Sequence, residues 1–236
     1  MLRLFYPGPL QEKSEITLTD SLFHHACVVM RLREGETLRL FNDKDGAFEI
    51  NLVSVKKKEA SAQVFKKISK PTPTKPVHLA FSPLRPERMF FLIEKAVEMG
   101  VTDFHPLLMQ HTQYPKCPFE KWQDQAIQAV QQSERFTVPI FHATQKLSEF
   151  LMSHQNDMIF AALERASQSQ KPMDAFKQHH GKSSMLLIGP EGGFATAEKT
   201  MLEFTSHVIL ISLGEYILRA ETAALMMLSL YQGIHL

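Results

Sequence analysis

The chain has 236 residues, 44% apolar and 22% charged, with a net charge of +1. That composition is ordinary for a soluble globular protein of one large or two modest domains, and its strand-sized apolar runs exclude a membrane-spanning helix. Met1–Pro7 lacks a signal-peptide core, and Cys27 and Cys117, in unrelated contexts, read as reduced thiols, so a cytoplasmic location is expected.

In chain order, Ile16–Leu18 reads as a short strand, and Asp20-Ser21 as the cap of a helix over Leu22–Leu32. Glu36–Phe41 alternates, Asn42–Gly46 is a turn, and alternation resumes in Ala47–Val55 and Ala62–Phe65. Short strands with one helix predict a small β-barrel. Lys56-Lys57-Lys58 and Lys66-Lys67 read either as a solvated face guarding strand edges or as a phosphate-contact surface. Residues 1–75 hold 13 Lys/Arg against 9 Asp/Glu, a modest excess that fits a polyanion partner. Pro71, Pro73 and Pro76 then predict an extended linker and a domain border.

After the linker the rhythm becomes β/α. Val77–Phe81 is strand-like, and a helix from about Glu87 to Met99 carries Phe90, Ile93 and Val97 on one face, with Gly100 as its stop. Strands are expected at Val101–Leu108, Val138–Phe141 and Met158–Leu163, with a helix over Phe119–Phe136 holding Trp122, Ile127 and Val130. The alternation predicts an α/β domain with a mostly parallel sheet.

The most informative segment is Leu186–Phe194, where an apolar strand runs into Gly189-Pro190-Glu191-Gly192-Gly193. Thr196 is the expected N-cap of the helix that follows, with Glu198 in its first turn. Val208–Gly214 and Ile217–Ala224 repeat the strand–loop–helix pattern. Loops this poor in side chains let a ligand approach the main chain, although a tight turn is the plainer reading of the first loop alone. The loop is neither a phosphate loop nor a dinucleotide loop, because no Gly-Lys-Ser/Thr and no three-glycine spacing is present. The adjacent pairs His24-His25 and His179-His180 lack metal-ligand spacing, and no Gly-x-Ser-x-Gly elbow appears, so neither a metal nor a serine triad is expected. Arg219 and Glu221 stand where a strand-end loop becomes a helix, the end at which doubly wound sheets bind ligands, with a capping ion pair as the plainer reading; Arg135 reads as a solvated helix end.

In combination, Leu187–Phe194, Leu213-Gly214 and Ile217–Ala223 resemble the trefoil-knotted SPOUT class of RNA methyltransferases. Within that class the chain resembles the bacterial family that methylates uridine N3 in small-subunit (16S) ribosomal RNA. His24-His25, Val29–Leu32, Glu94–Val101, Gln132–Arg135 and Val138-Pro139 add to the likeness, which runs from about residue 20 to the end.

The resemblance implies a PUA-like, RNA-binding β-barrel over residues 1–72 and a knotted methyltransferase domain over 73–236. It implies a homodimer, S-adenosylmethionine as cofactor, ribosomal RNA in the small subunit as partner, and neither membrane nor metal. Cofactor contacts would come from Leu187, Ile188, Gly189, Glu191, Gly192, Gly193, Ile211, Leu213, Gly214, Ile217 and Leu218. Catalysis would fall to Arg219, Glu221 and Arg135, and RNA contact to His24, His25, Arg31, Arg33, Tyr114, Arg135 and Tyr216. The chain departs from the family at Tyr216 and Tyr114, near which arginines are usual, and at Gln131, often Glu. Tyrosine stacks on a base but cannot neutralise a phosphate. A different RNA target, or a non-catalytic RNA-binding or ribosome-assembly role, stays open.

Overall fold

The computed structural model describes residues 1–71, 75–163, 169–180 and 183–235. They form two units, Met1–Thr74 with Val130–Val138, and Lys75–Ala129 with Pro139–Leu236. The border expected at 72/73 lies outside the described residues, as do Thr72, Pro73 and Thr74 of the proline-rich run. Among the described residues no helix is long and apolar enough to cross a membrane.

In the first unit, β1 (Arg3–Phe5), β2 (Glu15–Leu18), β3 (Thr37–Asn42), β4 (Gly46–Val55) and β5 (Ala60–Ser69) form a sheet in the order β1-β3-β4-β5-β2. Strand alternation sends Leu38, Leu40, Phe48, Ile50, Ala62 and Val64 inward. Leu4 of β1 and Ile16 and Leu18 of β2 join the same core, so both sheet edges close on one interior, as in a small barrel. β1 escaped the sequence reading because three residues carry no periodicity; it pairs in parallel with β3.

The helix expected over Leu22–Leu32 is corrected. A single α-helical turn, α1 (Asp20–Phe23), widens into a π-helical segment over His24–Val29. The N-cap is Thr19 rather than Asp20, whose φ is 49°. Phe23 and Ala26 reach the core, while Val28, Val29 and Met30 stay exposed.

Arg3 organises the segment Val130–Val138. Its guanidinium stacks 3.4 Å over the Phe41 ring and donates to the carbonyls of Val130, Glu134 and Arg135. These oxygens belong to the last turn and exit of a helix, where unpaired carbonyls favour a cation. The helix ends at Gln132 rather than at the expected Phe136, and Glu134 turns the chain with φ 58°.

Gly46 opens β4 with φ +100°, and a Cβ there would lie 2.1 Å from Ser69 O. Gly46→Ala is expected to lower unfolding free energy by about 3 kcal/mol, because both the backbone and the contact must give. Gly35→Ala, at φ +84° with nothing within 4 Å, should cost only about 1 kcal/mol. Urea midpoints of the two variants check the difference.

In the second unit, β6 (His78–Phe81), β7 (Asp103–Leu108), β8 (Ile140–Phe141), β10 (Met158–Ala162), β11 (Ser184–Ile188) and β12 (Val208–Ile211) form a parallel sheet. Their order is β12-β10-β11-β6-β7-β8, and the two-residue β9 (Gln145–Lys146) pairs with β7. Central β11 is buried at all five positions, which is why it reads as a continuous apolar run. The helices are α2 (Pro86–Glu98), α3 (Phe119–Gln132), α4 (Leu147–Ser153), α5 (Pro172–Gln178), α6 (Thr196–Phe204) and α7 (Ala220–His235). In α2, Met89, Leu92, Ile93, Ala96 and Val97 are the buried residues, and Phe90 is only half-buried. Pro86 starts that helix and Gly100, at φ +96°, follows its end. The expected cap of α6 is off by one residue. Ala195 is the N-cap, and its N–H donates to Glu198 Oε2 at 2.8 Å.

Candidate functional site

The carboxyl ends of β10, β11 and β12 open onto a cavity of about 500 Å³. Ligands bind at this end of open parallel sheets, and the volume lies in the usual range for a small-molecule site. Its walls include four glycines, where the main chain is open to a ligand. Ile188 and Gly189–Phe194 follow β11, Leu213, Gly214 and Tyr216–Arg219 follow β12, and Ala162 and Leu163 close β10. Gly193 and Gly214 have φ of +72° and +114°, with nothing within 4 Å of where a Cβ would stand. Gly189 has no room: a Cβ would sit 2.7 Å from the Phe194 ring, so the absence of a side chain sets the floor of the cavity.

Of the eleven residues expected to hold a cofactor, nine line this cavity. Leu187 and Ile211 do not. Both are fully buried within their strands and support the loops from below. Arg219 lines the cavity at the residue preceding α7, exposed and without an ion pair among the described residues. Tyr216 stands at the rim, 86% exposed.

Glu221 sits behind the cavity wall, 8% exposed. Its Oε1 is 3.6 Å from Arg88 Nε, and its Oε2 is buried with no hydrogen-bond partner among the described residues. An orphaned carboxylate oxygen this deep calls for a donor from a ligand or water. Arg88 also pairs with Glu191 of the glycine loop through Nη1. One guanidinium on α2 therefore bridges the first loop to the start of the helix after the second.

Arg88, His111 and Lys199 were missed at the level of sequence, and Glu198 was read only as a first-turn residue of α6. His111 donates from Nδ1 to Gly193 O at 2.9 Å, and a Cβ on Gly192 would meet the His111 Cβ at 3.2 Å. Glu198 accepts from the N–H of Gln110 through Oε1 at 2.8 Å while capping α6. Lys199 lines the cavity. The only signal for Arg88 was its place one turn into a Pro-started helix after a strand.

The expected RNA contacts divide between the units. His24, Arg31 and Arg33 are exposed and His25 half-buried in the first unit. Arg135 is half-buried in that unit too, and burial lowers its pKa. Tyr114 belongs to the second unit. It lines a mostly apolar groove with Phe90 and Trp122 and hydrogen-bonds the Arg85 side chain, which favours the charged guanidinium.

The chain is similar to known proteins over both of its units. Residues 70–232 match the model of the RNA methyltransferase domain, and residues 18–65 that of the RNA methyltransferase PUA domain. A Rickettsia conorii protein named ribosomal RNA small subunit methyltransferase E is 30% identical, over 94% of this chain and 91% of its own. The protein of that name from Bacillus subtilis is 28% identical over 93% and 90%. Among solved structures, ribosomal RNA small subunit methyltransferase E from Neisseria gonorrhoeae, bound to S-adenosyl methionine, superposes with a TM-score of 0.83. It is 27% identical and is matched over 98% of its length, against 99% of this chain. A Legionella pneumophila protein in complex with the cofactor SAM gives 0.84 at 26% identity, over 99% of this chain and 97% of that one. A match over most of the chain, in both of its units, places it: the chain belongs to the RNA methyltransferase family that includes ribosomal RNA small subunit methyltransferase E.

Proposed function

We propose that the protein transfers a methyl group from S-adenosylmethionine to N3 of a uridine in small-subunit ribosomal RNA, as a homodimer in the cytoplasm with a trefoil knot in its second unit. The observation that carries the reading is the glycine-rich cavity with an arginine, Arg219, at its wall that makes no ion pair among the described residues. Relatives named for small-subunit ribosomal RNA and solved with S-adenosylmethionine support the substrate class and the cofactor. The cavity suits that cofactor chemically. Main-chain N–H and C=O groups of the glycine-bearing loops 189–193 and 213–218 can read an adenine at close approach.

S-adenosylmethionine supplies the activated methyl group when bound. The chain supplies orientation and charge. Uridine N3 lies on the Watson–Crick edge, so the base must be unpaired or extruded before it enters. As N3 loses its proton, negative charge spreads over the uracil, and the Arg219 guanidinium at the cavity wall stabilises it in this scheme. Arg135, from the partner subunit, is the second cation of this scheme. Glu221 orients the site through Arg88 rather than taking the proton, because it is buried behind the wall. His24, His25, Arg31 and Arg33 contact the RNA backbone from the first unit, and Tyr114 and Tyr216 offer stacking faces.

Mass mapping of ribosomal RNA from a deletion strain tests the assignment. One uridine of the small-subunit RNA should lose its N3 methyl group, and reintroducing the gene should restore it. An unchanged small-subunit RNA, with methyl loss from transfer or large-subunit RNA, would replace the substrate. No loss anywhere, with no calorimetric binding of S-adenosylmethionine, would favour the non-catalytic role.

A further inference from the structure

We propose that the amino-terminal edge of the parallel sheet carries a site for a divalent metal ion of the zinc class, ligated by His78 Nδ1, Asp103 Oδ2 and His105 Nε2. The site lies at the opposite end of the strands from the glycine-loop cavity, and its chemistry is independent of methyl transfer.

Strand register builds it. β6 and β7 run in parallel with His78 opposite Asp103 and Ala80 opposite His105. Residues two apart in a strand share a face, so Asp103 and His105 project from β7 to the same side. The three donor atoms all lie within 4.8 Å of one another. His78 Nδ1 is 3.1 Å from His105 Nε2 and 3.9 Å from Asp103 Oδ2. Ligands held at about 2.0–2.2 Å around a tetrahedral zinc ion stand about 3.4 Å apart, and the two His78 separations bracket that value.

The surroundings supply what a metal site needs beyond its ligands. His142 follows β8, and its Nε2 donates to Asp103 Oδ1 at 2.7 Å, which fixes the carboxylate and leaves Oδ2 facing the two imidazoles. The His142 ring also stacks on His105 at 4.1 Å, and His154 meets it edge-on at 5.4 Å. Thr102 Oγ1 donates to Asp103 Oδ2 at 2.7 Å. Two imidazoles and a carboxylate are donor types that zinc accepts. His78 and Asp103 side chains remain 19% and 14% exposed, which leaves an entry path from solvent. Two imidazoles and one carboxylate leave a position for water, and the ion would clip the starts of β6 and β7 together.

Titration of the chelator-stripped full-length protein with Co²⁺ and Zn²⁺ tests the site. One Co²⁺ per chain should bind with visible absorption bands of a tetrahedral or five-coordinate ion, and Zn²⁺ should displace it and raise the melting temperature. His78→Gln and Asp103→Asn, at partly exposed positions, should each weaken binding by more than about 100-fold, and His142→Ala by about 10–100-fold. The double variant His24→Gln/His25→Gln, an adjacent histidine pair in the other unit, should bind as the wild type does. His105→Ala removes a buried ring and is read only if its circular dichroism matches the wild type. A folded His78→Gln that still binds one Co²⁺ with the same spectrum overturns the ligand set. No binding at millimolar metal shows a cluster held by hydrogen bonds alone and overturns the proposal.

Discussion

Arg219→Ala is expected to slow single-turnover methylation by about 10²–10³-fold, the usual cost of removing one preorganised donor from a developing anion. Calorimetric affinity for S-adenosylmethionine should stay within about threefold. The two readouts separate because Arg219 sits where α7 begins, while the cofactor contacts proposed are with the loops 189–193 and 213–218. The side chain is exposed and makes no ion pair among the described residues, so its removal leaves no buried charge uncompensated. A fall in rate accompanied by an equal fall in cofactor affinity would move Arg219 from catalysis to binding. Unchanged single-turnover methylation would remove it from the mechanism. The same assay reaches Arg135. If each site is completed by Arg135 of the partner subunit, Arg135→Ala and Arg219→Ala are both inactive alone. Mixed and reassorted, they form dimers with one intact site, and activity returns.

The residues that sequence reading found and those it missed differ in the range of the interactions that place them. Gly189, Gly192, Gly193 and Gly214 are legible because backbone freedom is a local property, and their strand–loop–helix context lies within ten residues. Arg219 is legible for the same reason, as a cation at a strand-end loop. Arg88 is not, because its two partners lie 103 and 133 positions along the chain. His111 is placed by a carbonyl 82 positions away. The end of α3 is set by Arg3, which lies near the start of the chain. The cluster of His78, Asp103 and His105 is invisible to any short ligand-spacing rule, since it is made by the register of two parallel strands. The π-helical segment His24–Val29 was misread for another reason. Its periodicity is close enough to that of an α-helix to mimic one, and i→i+5 pairing, as of Met30 N–H with His25 O, distinguishes them.

Arg88 carries the second large effect. Its guanidinium neutralises Glu191, in the loop expected to hold the cofactor, and Glu221, at the start of α7. Removing one partner of a buried ion pair costs about 3–5 kcal/mol, because the remaining charge keeps its desolvation penalty. Here the Arg88 and Glu191 side chains are 26% and 21% exposed, which lets water screen part of that cost. Glu221 is nearly buried and cannot be rescued in the same way. Arg88→Ala is therefore expected to weaken S-adenosylmethionine binding by about 10–100-fold, or about 1.4–2.7 kcal/mol, with a smaller loss in thermal stability. Arg88→Lys keeps the charge but loses the planar fork that reaches two carboxylates, so it should fall between wild type and alanine. The decisive measurement is a double-mutant cycle. If the bridge acts by holding the glycine loop, Arg88→Ala combined with Glu191→Gln should cost much less than the sum of the single changes. Strict additivity would show that the two side chains act separately. Wild-type affinity in Arg88→Ala would show that the main chain of Gly189–Gly193 holds its shape unaided, with His111 and the Gly189–Phe194 contact as its remaining supports.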